Sequence, residues 1–235
     1  MVTNRPRTIG TSKPGFSKPR LAIALIADLV ASRLLNQKHR TDLQKRLEAL
    51  LGRINENYQE AIGADFLITL GDEFQGVITN GEVVPSIIWD IETELRGVDV
   101  RIAFGFGMLN PPFKRVALGM DGPAFHRARE ALELWPKRHN KGGVFSGFNE
   151  DDAVLNGFAR ILRYVRERLT PAQVRTLSFL RRGGKQIQVA GRLGVTRQVI
   201  SRRVRRAGLE AYMEAEHGWR QILKRYDLSN EWRRG

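Results

Sequence analysis

The sequence predicts an α+β protein: an α/β sandwich built on one sheet, of the split βαβ type, followed by an all-α domain that is strongly basic. Three observations predict it. Strand-like and helix-like apolar patterns alternate from Leu21 to Phe148. After Glu150, Asp151 and Asp152 only the helical pattern continues. The charge divides at the same place: residues 1–20 hold 5 Lys/Arg and no Asp/Glu, residues 21–154 hold 15 against 19 (net −4), and residues 155–235 hold 19 against 6 (net +13). A last third that basic calls for a polyanion, and the mildly acidic middle does not. The expected boundaries are an arm over 1–19, a sheet domain over 20–153 and a helical domain over 154–235.

Residues 1–19 mix Thr, Asn, Gly, Pro, Ser and basic side chains without apolar periodicity, which predicts a flexible arm, either touching DNA phosphates or simply solvated. Leu21 to Ala27 is a continuous apolar run, the mark of a buried strand, and Asp28 ends it. From about Lys38 to Ala61, the residues Leu43, Leu47, Leu50, Leu51, Ile54 and Tyr58 recur at three- and four-residue steps. They predict an amphipathic helix that Gly63 stops. Phe66, Ile68 and Leu70, the pair Gly71-Asp72, and then Phe74, Gly76 and Ile78 predict a β-hairpin with Asp72 at its tip and Glu73 one residue on. A helix over about Val83 to Leu95 leads to a strand over Val98 to Leu109, with Val100, Ile102, Phe104 and Phe106 on one face. Val116 to Leu118 is the expected short partner of that strand. Pro123 then opens a helix to about Leu134, and Gly143 to Phe148 forms an edge strand.

In the last third, a helix over about Val154 to Arg168 precedes one over 171–182, with Thr170 as N-cap and Pro171 in the first turn. Gly183-Gly184 break it. Gln186 to Arg206 has the spacing of a helix-turn-helix: Ala190 for close helix contact, Gly194 at the turn, Val195 after it, and Ile200 and Val204 as core contacts. Its second helix, Thr196 to Ala207, offers Thr196, Arg197, Gln198, Ser201, Arg202 and Arg205 to a groove of double-stranded DNA. Arg and Gln are the side chains that bond bidentately to guanine and adenine edges. With the preceding helix, the module resembles the promoter-reading region of sigma factors. The final helix, Leu209 to Tyr226, gathers Leu209, Tyr212, Met213, Trp219, Ile222, Leu223 and Tyr226 on one face. That face suits packing onto the helix-turn-helix or dimerisation, and the sequence leaves both open.

Zero cysteines exclude a disulfide framework, a thiolate zinc site and a cysteine nucleophile, and the 4 histidines are scattered. No stretch approaches the roughly 20 apolar residues of a membrane span. The run from Leu21 is too short for a signal peptide, so a soluble, cytoplasmic protein is expected. What remains is carboxylate chemistry. Asp28 ends a buried strand, and the intervening helix brings the Asp72-Glu73 hairpin tip beside it. Ligands of α/β sheets bind at the carboxyl ends of strands, and converging carboxylates need a cation or a proton between them. Mg²⁺ binds through one or two carboxylates plus substrate phosphates, which this arrangement offers.

The stretch from Leu21 through Phe148 resembles the shared palm-like, ferredoxin-like fold of class III nucleotidyl cyclases and GGDEF diguanylate cyclases. Asp28 stands where their first metal aspartate does, and Gly71-Asp72-Glu73-Phe74 matches the last four letters of the GGDEF hairpin. Ala124-Phe125-His126-Arg127-Ala128-Arg129 parallels their A-L-Y-x-A-K helix, with Arg129 at the place of the phosphate-binding lysine. Val30 replaces a second acidic residue and Leu70 the first glycine, so guanine is not implied. More narrowly, Ile26 to Arg33, Thr69 to Gly76, Arg101 to Gly107 and Gly119 to Arg129 together resemble the SatD family, whose members also end in a helix-turn-helix.

These resemblances imply a site for Mg²⁺ or Mn²⁺ with a nucleoside triphosphate. Asp28, Asp72 or Glu73 and the main-chain carbonyl of Leu29 would meet the metal, and Ser32, Arg33, His126 and Arg129 the nucleotide. Three functions follow as expectations: a homodimeric DNA-binding regulator that senses the nucleotide, a metal-dependent nucleotidyl cyclase or nucleotidyltransferase localised to DNA, and a scaffold that only dimerises.

Overall fold

The computed structural model describes residues 18–30, 37–69, 71–138 and 142–233. The expected arm lies outside the described residues except for its last two positions, and Ser32, Arg33 and Leu70 lie outside them as well. Among the described residues the sheet has five strands, β1 (Arg20–Leu29), β2 (Ile62–Ile68), β3 (Glu73–Ile78), β4 (Val100–Leu109) and β5 (Val144–Ser146), in the order β2-β3-β1-β4-β5. Only β5 runs parallel to its neighbour. The helix α1 (Gln37–Asn57) crosses from β1 to β2, and β3 returns between them, which is the split βαβ arrangement. The helix α2 (Val84–Glu94) joins β3 to β4, and α3 (Pro123–Arg138) joins β4 to β5.

β1 is central, and its alternation divides the core in two. Ile23, Leu25, Ala27 and Leu29 face α1 and α2, where Leu43, Leu47, Leu50, Leu51 and Ile54 supply the predicted stripe. Ala22, Ala24 and Ile26 face α3 with Ala103, Ala124 and Ala128. Those residues are small because α3 lies close on the sheet. A Cβ at Gly105 would run into the main chain at Ala124 and Ala128.

Both sheet edges end on an asparagine. On β2, Asn55 of α1 accepts from the Phe66 N–H at 2.8 Å and donates to the Phe66 carbonyl at 3.0 Å. On β5, Asn156 does the same for Phe145, at 3.0 and 2.9 Å. Each amide stands where a neighbouring strand's peptide would. The residues Val116 to Leu118 do not pair with β4 as expected. Instead Val116 forms a bridge with Asp65 on β2, whose ladder is interrupted there.

From Asp152 the chain is helical: α4 (Asp152–Arg168), α5 (Pro171–Leu180), α6 (Gln186–Leu193), α7 (Arg197–Arg206), α8 (Leu209–Leu223) and the short α9 (Ser229–Arg233). Thr170 caps α5 as expected, and Gln173 returns the bond to complete a capping box. Gly194 takes the left-handed conformation, φ 62°, that ends α6, and Thr196 caps α7. The apolar face of α8 is consumed within the chain: Leu209, Tyr212, Trp219 and Leu223 are buried, and Trp219 meets Phe145 of β5 edge to face at 5.6 Å. Leu177, Val189, Ile200 and Val204 of α5 to α7 belong to the same buried cluster as the sheet's α1 face. Beyond α8 the chain returns to the sheet, where Trp232 donates to the Leu21 carbonyl at 2.8 Å. Among the described residues no helix is long and apolar enough to cross a membrane.

Candidate functional site

The sheet register brings two of the predicted acidic residues together. Asp28 of β1 is the Cα partner of Glu73 on β3 and of Arg101 on β4. Directly opposed residues of an antiparallel pair project to the same face, here the α3 face. Arg101 grips Asp28 through two nitrogens, Nε donating to Oδ1 at 2.7 Å and Nη2 to Oδ2. Arg129 of α3 reaches down to Glu73 in the same forked way, Nη2 donating to Oε1 at 2.8 Å and Nη1 to Oε2. Thr69 Oγ1 donates to Glu73 Oε1 at 3.1 Å. The result is a four-residue set of two carboxylates and two guanidiniums at the end of the central strand. The bonds from Arg129 hold the Glu73 carboxyl below the usual carboxylate range, against the opposing effect of its partial burial.

Asp72 lies in the turn, with Gly71 at φ 61°, and its carbonyl accepts from the Leu29 N–H at 3.3 Å. Leu29 and Asp72 line a separate pocket of about 280 Å³ with Arg40, Gln44 and Gly71, where β1, α1 and the hairpin tip converge. The strand end thus has an ion-paired side and a pocketed side. His126 is engaged with Asp121 at 2.8 Å and joins neither.

As cation ligands, Asp28 and Glu73 provide two carboxylates. Among the described residues no three His, Cys, Asp or Glu side chains form a metal-holding group. The donors present fit Mg²⁺ only in company with phosphate oxygens, the usual habit of that ion. Arg101 is the partner that sequence reasoning passed over. Its signal is the alternation of β4, which puts Arg101 on the face opposite Val100 and Ile102, but only the register shows that Asp28 is its neighbour.

The second candidate surface is α7. Thr196, Arg197, Gln198, Arg202 and Arg205 are exposed and Ser201 is half-buried, while Ile200 and Val204 point into the core. From Leu169 to Leu209 the chain carries 10 Lys/Arg and no Asp/Glu. Its cations therefore have no acidic neighbours in sequence, and Arg181 reaches Glu216 on α8 for its partner.

No curated protein matches the chain. Two solved structures of a bacterial light-regulated adenylyl cyclase are similar to it at 18% identity. One is matched over 55% of this chain and 77% of that chain with a TM-score of 0.44, and the other over 55% and 44% with a TM-score of 0.39. The family model that matches, over residues 22–223 and hence through both candidate surfaces, is that of the SatD family, to which this chain belongs.

Proposed function

We propose that the chain is a DNA-binding regulator whose sheet layer binds a nucleoside triphosphate with Mg²⁺ or Mn²⁺, and that it works as a homodimer on a two-fold DNA site. One observation carries the reading: Asp28 and Glu73 face each other across two strands, each held by its own arginine. Carboxylates for a cation and guanidiniums for phosphates stand ready in one place. On binding a Mg²⁺–triphosphate the arginines would turn to phosphate oxygens and the carboxylates to the cation, so each group of the set exchanges its present partner for one of the same sign. Leu29 and Asp72, beside the neighbouring pocket, border the same strand end.

The DNA half of the reading rests on the exposed Arg197, Gln198, Arg202 and Arg205 of α7 and on the acid-free run around them. As a helix-turn-helix, α6 and α7 would set α7 in the major groove with these side chains toward base edges. The coupling rests on the absence of any tether. α4 runs from β5 into the basic helices, and Arg96 of the α2 end donates to the Leu169 carbonyl at its far end. A nucleotide that shifts this joint alters DNA affinity, and DNA must then alter nucleotide affinity by the same factor.

The test is calorimetric titration of the full chain with ATP and GTP, with and without Mg²⁺. Metal-dependent binding that Asp28→Ala abolishes is expected. Equal binding by wild type and variant removes the site, and a cyclic or condensed product from ATP or GTP with Mn²⁺ moves the reading to the enzyme. For the DNA half, duplex binding by the full chain in a gel shift should weaken steeply with salt and on replacing Arg197, Arg202 and Arg205 together by Ala. Duplex binding by that folded triple variant equal to wild type sinks it.

A further inference from the structure

A cleft of about 560 Å³ opens at the joint between the sheet layer and the basic helices, walled by α2, the start of β4, α4 and α5. Its size is that of a small-molecule site. One wall is apolar, formed by Trp89, Val98, Val100 and Val174. The floor is charged. Arg163 and Arg166, 8% and 6% exposed, line it with Glu92.

The two arginines differ in what they hold. Arg163 donates from Nη1 to Glu92 at 3.0 Å and from Nε to Glu167 at 2.9 Å, and its Nη2 lies 4.0 Å from Asp99. Arg166 donates from Nε to Glu92 at 2.5 Å and from Nη1 to the Tyr212 hydroxyl at 2.8 Å. Its Nη2 is fully buried and lies 2.5 Å from Glu92 Oε2, yet it makes no hydrogen bond. Buried donors in folded proteins are almost always satisfied. Glu92 is shared between two buried cations, and Arg163 has Glu167 besides, so the group left without an aligned acceptor is Arg166 Nη2.

The other carboxylates, Asp99 and Glu167, sit at the rim with side chains 58% and 43% exposed. Arg96, also exposed in the lining, offsets one of the two, and the rim stays negative by one charge, which disfavours a polyanion and sets this cleft apart from a triphosphate site. The occupant that answers all three features has one negative charge for the floor, few charges in all, and an apolar body for the Trp89 wall. We propose that the cleft binds a small monocarboxylate with an aliphatic or aromatic body. Val30, two residues beyond Asp28, and Val174 of α5 both line it. Its occupant therefore touches the sheet's strand end and the basic helices at once, the position of an effector.

The proposal is independent of the nucleotide reading, and EDTA in every titration keeps the two apart. The full chain is titrated calorimetrically with hexanoate and 3-phenylpropionate. Hexylamine and 1-hexanol serve as charge controls, and inorganic phosphate as an anion without an apolar body. Dissociation constants of about 1 mM or lower are expected for the two carboxylates, the ordinary yield of ligands of about ten heavy atoms. The three controls should not bind. Val174→Trp and Val98→Trp fill the apolar wall without touching the arginines, and either should weaken carboxylate binding about tenfold or more. Circular dichroism and the unfolding midpoint show which variant keeps the native fold. Three results overturn the proposal: no heat from either carboxylate up to about 10 mM, a control that binds as well as hexanoate, or wild-type affinity in a folded tryptophan variant.

Discussion

Two sets of arginine–carboxylate pairs occupy opposite kinds of place in this molecule. At the strand end, Asp28 with Arg101 and Glu73 with Arg129 have side chains 21%, 24%, 22% and 44% exposed. At the joint, Glu216 takes Arg181 at 2.6 Å and Arg220 at 2.5 Å, with Glu216 and Arg181 only 6% and 9% exposed. The joint set is tied further into the structure. Arg181 lies over the Trp89 ring, 4.5 Å from its centroid, and Arg220 donates to the Glu82 carbonyl and to Ser86, each at 2.7 Å. The same chemistry therefore does two jobs. Ions sealed from water cannot exchange partners without a large penalty, so they fix how α5 and α8 sit on α2. Ions partly in water can trade one partner for another at lower cost, which the proposed ligand-binding role requires.

The largest break in that contrast should come from Glu216→Ala. Removing the carboxylate strands Arg181 in the core, and about 3–5 kcal/mol of stability should be lost in urea unfolding. Replacing the pair together, Glu216→Leu with Arg181→Met, should recover much of it, because the penalty belongs to the orphaned charge. If Glu216→Ala unfolds like wild type, the joint is not held by its ions.

Next in size is an effect on DNA with none on folding. Arg202→Ala or Gln198→Ala should relax base choice by about 1–3 kcal/mol for each lost edge contact. Both side chains are exposed, so the unfolding midpoint should stay put. A variant that loses stability with specificity would mean that α7 is packed rather than presented.

Asp28→Ala sharpens the comparison from the other side. The Asp28–Arg101 pair keeps only about a fifth to a quarter of each side chain in water, so the variant should lose some stability, but less than Glu216→Ala loses, while losing metal-dependent nucleotide binding. Unfolding curves and titrations on the same sample read both quantities.

The smallest effect is a pH dependence. Glu73 has a carboxyl held below its ordinary value in the folded chain. Its contribution is fully present above the unfolded carboxylate value of about 4.3, and it is lost as pH falls through the lower folded value. Glu73→Gln should flatten that segment of the stability profile between neutral and acid pH. A profile identical to wild type would show that Arg129 gains nothing from the charge.

Much of this was legible in the chain because local pattern and tertiary packing agree. The run from Leu21 is the central strand, and the leucine stripe of α1 faces the sheet as its spacing requires. Thr170 and Gly194 act where their backbone preferences put them. The pairing of Asp28 with Glu73 was legible only as nearness, since nothing in either segment states the strand register. Asp72 was read alongside Glu73, yet successive residues of the chain turn to opposite sides, and Asp72 faces the pocket by Leu29. The joint was invisible for a different reason. Glu92, Arg163, Arg166 and Glu216 look like the polar faces of surface helices until a second layer closes over them. Val116 to Leu118 reads as a strand by composition, but it finds its backbone partners at the interrupted ladder of β2, where Asp65 accepts from the Ala117 N–H at 3.1 Å.

The asparagines at the two sheet edges bear on how this chain can meet another copy of itself. An open edge is an invitation to add a strand, and five-stranded sheets are often widened that way into shared sheets, swapped dimers or fibrils. Here the outermost peptides at Phe66 and Phe145 are already occupied by side-chain amides from α1 and α4. Widening the sheet at either edge would first require pulling that edge's amide away, leaving its own hydrogen bonds unmade. Self-association is thereby steered from backbone pairing toward side-chain surfaces on the helices, where recognition depends on sequence and the sheet keeps its width of five.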